Sequence, residues 1–195
     1  FYYQMQYSLA FLTNNNPLTM HLFITFVESL TPVVLFLILK KFIEKKNAYL
    51  VSLLYAVSPL VTIFASFAWN PNMIPFLSLS ALLVSIKYFE TKRYWYIPIF
   101  SLLLVIAVHF HYQAVVLFPF YLFVLVKSVM EDKKVIKYWL IGWFLALLTM
   151  IPYLVAELRV NWQNTSQIIN YFTGEHSRYY DRVSKPAFVL TFIPE

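Results

Sequence analysis

The side chains able to do chemistry gather in four places. Val108-His109-Phe110-His111-Tyr112-Gln113 brings two imidazoles, a phenol and an amide into six residues. As hydrogen-bond donors these groups could hold a phosphate or a sugar. As metal ligands the two imidazoles would need an extended turn, because residues two apart on a helix point about 200° apart. Trp69-Asn70-Pro71-Asn72 offers an indole that can stack on a sugar face and amides that both donate and accept, although Asn-Pro is also an ordinary helix start. Glu157-Leu158-Arg159-Val160-Asn161-Trp162-Gln163-Asn164-Thr165 combines an acid, a base and several amides, a set suited to an anionic lipid headgroup. Within it Asn164-Thr165-Ser166 matches a glycosylation sequon, a pattern common by chance. Glu28 lies inside an apolar run, where a carboxyl is costly unless it faces protein or a wet cavity. It is therefore a functional candidate, and the competing reading is a protonated side chain bonded to a neighbouring helix. His21, seven residues earlier on the same helical face, is its candidate partner.

The elements that position these groups must be membrane helices. Of 195 residues 61% are hydrophobic and 12% charged, against about 45–50% and about 25% in soluble domains. Mean hydropathy is +0.65, and the 19 Phe, 15 Tyr and 5 Trp suit lipid and its interfaces. Two glycines are too few for a phosphate-binding loop or a dinucleotide fingerprint. The absence of cysteine excludes disulfides, thiolate metal sites and a Cys nucleophile. No secretory signal opens the sequence, and its two ends read as those of a fragment.

Six apolar runs follow: Met20 to Leu39, Ala48 to Ser66, Asn70 to Tyr88, Trp95 to Val108, Ala114 to Val126 and Tyr138 to Ala156. The first is long enough, at about 1.5 Å per residue, to cross about 30 Å of hydrocarbon; several others must borrow aromatic or polar flanks. Phe1 to Leu12, rich in Tyr, Phe and Gln, reads as a helix lying in the interface. The expected fold is an all-α polytopic bundle of about six spans plus that interfacial helix. A transmembrane domain over 1–156 is followed by an external loop or the start of a further segment over 157–195. Prolines 32, 59, 75, 98, 119 and 152 lie within or at the ends of the runs, as kinked bundle helices tolerate.

Charge sorts onto alternate connections. Loops around 40–46, 87–93 and 127–137 carry a net charge of +7, whereas Phe67 to Asn72 and His109 to Gln113 carry no Lys, Arg, Asp or Glu. Lysine and arginine are retained on the cytoplasmic side. The turns holding Trp69 and His111 therefore face outward, together with the segment from Glu157 on. The positive balance is topological and does not form the continuous basic face that nucleic acid requires.

At these residues the chain resembles the polytopic glycosyltransferases of the GT-C superfamily, close to family 39, the protein mannosyltransferase and aminoarabinose transferase group. Phe1-Tyr2-Tyr3 resembles the end of "GPLYYYL" in a juxtamembrane helix, and Asn16-Pro17 the following "NPL". Trp69-Asn70-Pro71-Asn72 resembles "WNPN", and His111-Tyr112 the "LHY" turn. Glu157-Leu158-Arg159 with Asn164-Thr165 resembles the "ELR…NT" start of an external loop.

The resemblance implies transfer of a hexosyl, mannosyl or pentosyl group in cell-envelope glycosylation. The donor would be a polyprenyl-phosphate sugar and the acceptor a lipid, protein or glycan, on the outer face of the cytoplasmic membrane. It also implies an Asp that acts as base or holds a divalent metal, with cationic and hydroxyl groups stabilising the leaving lipid phosphate. The only aspartates, Asp132 and Asp181, do not match that position. The expected Asp precedes Phe1, so these 195 residues alone should be inactive. Relatives often carry Arg where Ser66 stands. The expected donor-side wall is His109, His111, Tyr112, Glu157 and Arg159, with Trp69 and Asn70 beside it and Glu28 as a further candidate. The rival classes are a secondary transporter or lipid flippase, which would share Glu28 and kinked helices, and a non-catalytic membrane scaffold.

Overall fold

Proline marks the starts of several helices, because its fixed φ and missing N–H cost nothing in the first helical turn. The computed structural model describes residues 8, 10–14, 16, 18–65, 67, 69–163, 165–166 and 169–170, and among these every regular element is helical. In chain order come α1 (Leu18–Ser29), α2 (Thr31–Leu39), α3 (Lys45–Ala56), α4 (Pro59–Ala65), α5 (Ile74–Thr91), α6 (Tyr96–Phe110), α7 (Phe118–Glu131) and α8 (Ile136–Arg159). Short 3₁₀ turns at Asn70–Met73, Tyr112–Leu117 and Lys133–Val135 lead into α5, α7 and α8. Pro32, Pro75 and Pro119 sit in the first turns of α2, α5 and α7, and Pro59 opens α4. Most of the interfacial helix expected over Phe1 to Leu12, along with Ser66, Asn164 and the tail from Tyr171, falls outside the described residues. The chain divides into two units, Phe1–Met150 and Ile151–Glu195.

Four stretches are long and apolar enough to cross a membrane: His21–Leu39, Asn70–Thr91, Tyr112–Glu131 and Lys133–Arg159. A fifth is the pair α3 and α4, if it counts as one span, since it bends by 56° at the break before Pro59. Among the described residues four or five of the expected runs thus reach spanning length. The run from Trp95 forms α6, whose 15 residues rise only about 22 Å. The expected first span holds as one stretch, with Leu30, itself in helical backbone, between α1 and α2.

In the first unit, α5 and α6 make the most extensive helix pair, and α2 packs against both α3 and α5. One apolar cluster joins Ile24 and Val27 of α1 to Met73, Leu77, Ala107 and Phe110. The second joins Ala81, Tyr88, Ile97, Phe100, Leu104, Val124, Val135 and Trp139. There the buried Trp139 Nε1–H donates to Ser128 Oγ at 2.9 Å. Helix α8 closes on α6 at Gly142, where an added Cβ would stand 2.8 Å from Ser101 Oγ, 2.9 Å from Ser101 Cβ and 3.3 Å from Pro98 Cα. Small residues allow such an approach between membrane helices.

The two ends of this unit differ in chemistry. At one end Lys41 Nζ reaches Glu90 at 2.6 and 2.7 Å, Lys92 pairs with Glu131, and the Tyr94 hydroxyl donates to Asp132. Lys92 turns the chain there with a left-handed φ of 53°. Exposed ion pairs add little stability, but these contacts show that the lysine-rich loops meet. At the other end Asn70 Nδ2 donates to the Phe110 carbonyl at 3.0 Å, bringing together the two turns that lack charge.

Candidate functional site

The turn after α6 is built by a change of backbone state. Helix α6 ends at Phe110, His111 is extended at φ −156° and ψ 132°, and the chain tightens into the 3₁₀ turn from Tyr112. His111 Nδ1 accepts the Gln113 backbone N–H at 3.2 Å, which puts the proton of a neutral ring on Nε2. The ring stacks on Tyr112 at 4.6 Å between centroids, and Tyr112 is 72% exposed. His111 Nε2–H and the Tyr112 hydroxyl therefore form one donor pair at the rim.

His109 serves differently. Its Nε2 lies 3.0 Å from Thr149 Oγ1, and that hydroxyl gives its own proton to the Ala146 carbonyl at 2.7 Å. His109 must then donate through Nε2, which ties α6 to α8. The two imidazoles are divided between a rim position and a helix–helix contact. Thr149, forty residues away in sequence, carried no local signal of this role.

Below the rim lies an apolar cavity of about 200 Å³, lined by Leu104, Val108, Ala114, Val115, Phe118 and Tyr121 among others. Its walls come from α6, the 3₁₀ turn and α7, the elements that flank His111 and Tyr112.

The Trp69 turn is held by its amides. Besides the Asn70 bond, Asn72 Nδ2 donates to the carbonyls of Phe64 and Phe67, the latter at 2.9 Å, and so caps the end of α4. Trp69 stacks at 5.9 Å on Phe64 and 6.1 Å on Phe67 and stays 48% exposed. Both Asn side chains thus spend donors on the scaffold, and the Trp69 indole stays half-exposed.

Glu28 is 6% exposed. Thr31 Oγ1 donates to its Oε2 at 3.4 Å, so its side-chain partner is Thr31 where His21 was expected. The Phe76 backbone N–H, in the first turn of α5, lies beside the carboxyl, while Oε1 is buried without a hydrogen-bond partner. Glu28 also lines two adjoining cavities of about 330 and 270 Å³.

In the second unit Glu157 is fully buried. Its Oε2 accepts the Thr165 backbone N–H at 2.9 Å and the Thr165 hydroxyl at 2.6 Å, and the Tyr153 hydroxyl lies 3.0 Å from Thr165 Oγ1. The carboxyl thereby pins the chain that returns after α8. Arg159 is exposed and forms no ion pair with Glu157, as expected for residues two apart on a helix. Among the described residues no three His, Asp or Glu side chains come together as a metal set, so the divalent metal implied by the resemblance has no ligands assigned to it.

Residues 2–155, more than half of the chain, match the family model described as dolichyl-phosphate-mannose-protein mannosyltransferase. No curated protein and no solved structure matches the chain.

Proposed function

The chain belongs to the dolichyl-phosphate-mannose-protein mannosyltransferase family, membrane glycosyltransferases that use polyprenyl-phosphate sugars, and from that premise we propose that it works on the outer face of the cytoplasmic membrane. There it would pass a sugar to a lipid, protein or glycan acceptor. In the reaction the acceptor oxygen bonds to the anomeric carbon as the bond from that carbon to the phosphate oxygen breaks. Polyprenyl phosphate leaves, and the acceptor hydroxyl gives its proton to a base. Glu157 is not that base in our reading, because its Oε2 already takes two hydrogen bonds from Thr165.

The observation that supports the proposal is the stacked pair of His111 and Tyr112 next in chain to residues that line an apolar cavity, Val108, Ala114 and Val115. An isoprenoid chain is apolar and its phosphate gathers charge on leaving, so hydrogen-bond donors close in sequence to an apolar surface suit both ends of the same molecule. Asn70 holds the Trp69 turn against the end of α6, leaving the indole to meet the sugar. Arg159, exposed at the end of α8, is the cation that the resemblance assigns to the phosphate. His109 orients the site from behind through Thr149.

The experiment is direct. Membranes containing the protein together with the sequence that supplies the expected Asp, given a radiolabelled polyprenyl-phosphate hexose, should yield a labelled covalent product and free lipid phosphate in equal amounts, and the 195 residues alone should yield neither. Flux driven by an ion gradient, with no covalent product, would favour a transporter or flippase.

A further inference from the structure

We propose that the two cavities sharing Glu28 form a membrane-embedded binding site for an uncharged polyol headgroup, with Trp69 on its wall; that Trp69 meets a sugar there rests on the function proposed above. Their lining comes from α1, α3, α4 and the Trp69 turn, with Pro32 of α2 and Pro75 of α5, and the common residues Glu28, Val61 and Ala65 show that they adjoin. Their volumes lie near the lower end of the ~300–1,000 Å³ typical of small-ligand sites.

The lining selects the ligand by what it has left to offer. Thr25 Oγ1 donates to the Ala65 carbonyl at 2.7 Å, Ser29 Oγ to Phe26 at 2.6 Å and Thr62 Oγ1 to Ser58 at 3.0 Å. Asn72 Nδ2 is committed to Phe64 and Phe67. These four groups have given their protons to backbone carbonyls, so what remains to them is lone pairs. Glu28 Oε1 adds a buried oxygen with no partner, a costly arrangement unless something fills it. The space therefore calls for a molecule that donates to these oxygens and can also accept from the Tyr55 O–H and Trp69 N–H of the same lining.

Charge narrows the class. No Lys, Arg or His lines either cavity, so a phosphate would meet lone pairs and a carboxyl without a cation. An ammonium would need Glu28 ionised. A hydroxyl both donates and accepts and serves Oε1 in either protonation state. Trp69 and Tyr55, on the wall of the second cavity, add aromatic faces suited to the C–H side of a sugar ring.

The test uses the full chain in lipid nanodiscs with radiolabelled n-hexyl β-D-glucopyranoside. We expect saturable binding that Glu28→Leu weakens by about tenfold, the size of leaving a buried hydroxyl of the ligand without its partner. Glu28→Gln, which matches the shape and keeps an acceptor, should stay within about threefold. Trp69→Leu, which spares the buried carboxyl, should weaken binding several-fold and covers the case in which Glu28→Leu does not fold. Hexyltrimethylammonium and hexyl phosphate should not displace the probe. Displacement by a polyprenyl-phosphate hexose identifies the sugar of the donor as the natural occupant, and displacement by an uncharged diglycosyl lipid identifies a bilayer glycolipid. Equal binding by wild type, Glu28→Leu and Trp69→Leu, stronger competition by the ammonium, or displacement by neither lipid would overturn the proposal. The readout is binding, so a failure of sugar transfer leaves it intact.

Discussion

Asn70 and Phe110 are forty residues apart, yet the Asn70 side chain donates to the Phe110 carbonyl at 3.0 Å. The bond fastens the turn before α5 to the turn after α6, so Trp69 and His111 stand at the same end of the helix pair. At the other end Lys41 meets Glu90 and Lys92 meets Glu131. Charge sorting along the chain and contacts in the fold therefore divide the molecule in the same way.

Asn70→Asp removes the donor and sets a carboxylate against a carbonyl. It should cost more than the ~1 kcal/mol of an ordinary hydrogen bond, whereas Asn70→Ala should cost about that amount. Thermal unfolding in detergent checks the order, and equal melting temperatures for the two variants would contradict it.

The two imidazoles should separate by readout. His111→Ala should lower transfer by about 100- to 1,000-fold, the range for loss of a hydrogen-bond donor to developing charge, with little change in melting temperature. His109→Ala should lower the melting temperature first, because it releases Thr149. Comparing initial rates and melting curves for the two variants distinguishes these roles.

Arg159→Ala should reduce transfer without impairing membrane insertion, since the side chain is exposed and free of any ion pair with Glu157. Glu157→Ala should loosen the chain after α8, seen as faster proteolysis near Thr165. Unchanged activity in Arg159→Ala would remove that residue from the site.

Gly142→Ala should strain the α6–α8 contact by about 1–3 kcal/mol, the cost of overpacking, because its Cβ would meet Ser101 at 2.8 Å. Adding Ser101→Gly removes the atoms in the way and should recover most of the loss. A double variant no more stable than Gly142→Ala would show that the contact is looser than it looks.

At the lysine-rich end the Tyr94 hydroxyl, followed by the Lys134 backbone N–H, holds Asp132 below its ordinary carboxylate range. The same hydrogen bond, with burial second, raises Tyr94 above the usual tyrosine value. A depressed carboxyl contributes stability that is complete above its unfolded value and is lost as pH falls through the folded one. A raised phenol contributes stability that is present below its unfolded value and is lost as pH rises through the folded one. Tyr94→Phe should flatten both limbs of a plot of melting temperature against pH. An unchanged acid limb would exclude the bond.

Sequence reading reached the helical class and the order of the runs because lipid imposes length and apolarity on each span. It did not reach the 56° bend before Pro59, because a proline can open a new helix or kink an old one and only packing decides. It grouped His109 with His111, as adjacency in a turn suggests. The fold separates them because one lies on the last turn of α6 and the other on extended backbone. In sequence Glu157 groups with Arg159 in one headgroup set, and its hold on Thr165, eight residues on, carries no local signal. The vacant oxygen of Glu28 depends on α4, α5 and the Trp69 turn arriving around it, which no local pattern encodes.

The central claim is that the turns without charge share one face of the bilayer. The chain has no cysteine, so Trp69→Cys, His111→Cys, Lys41→Cys and Lys133→Cys can each be probed alone with a membrane-impermeant maleimide on sealed vesicles of known orientation. The account predicts labelling of the first two from the outer side and of the last two only after the inner side is opened. Labelling at positions 69 and 111 from opposite sides would contradict it.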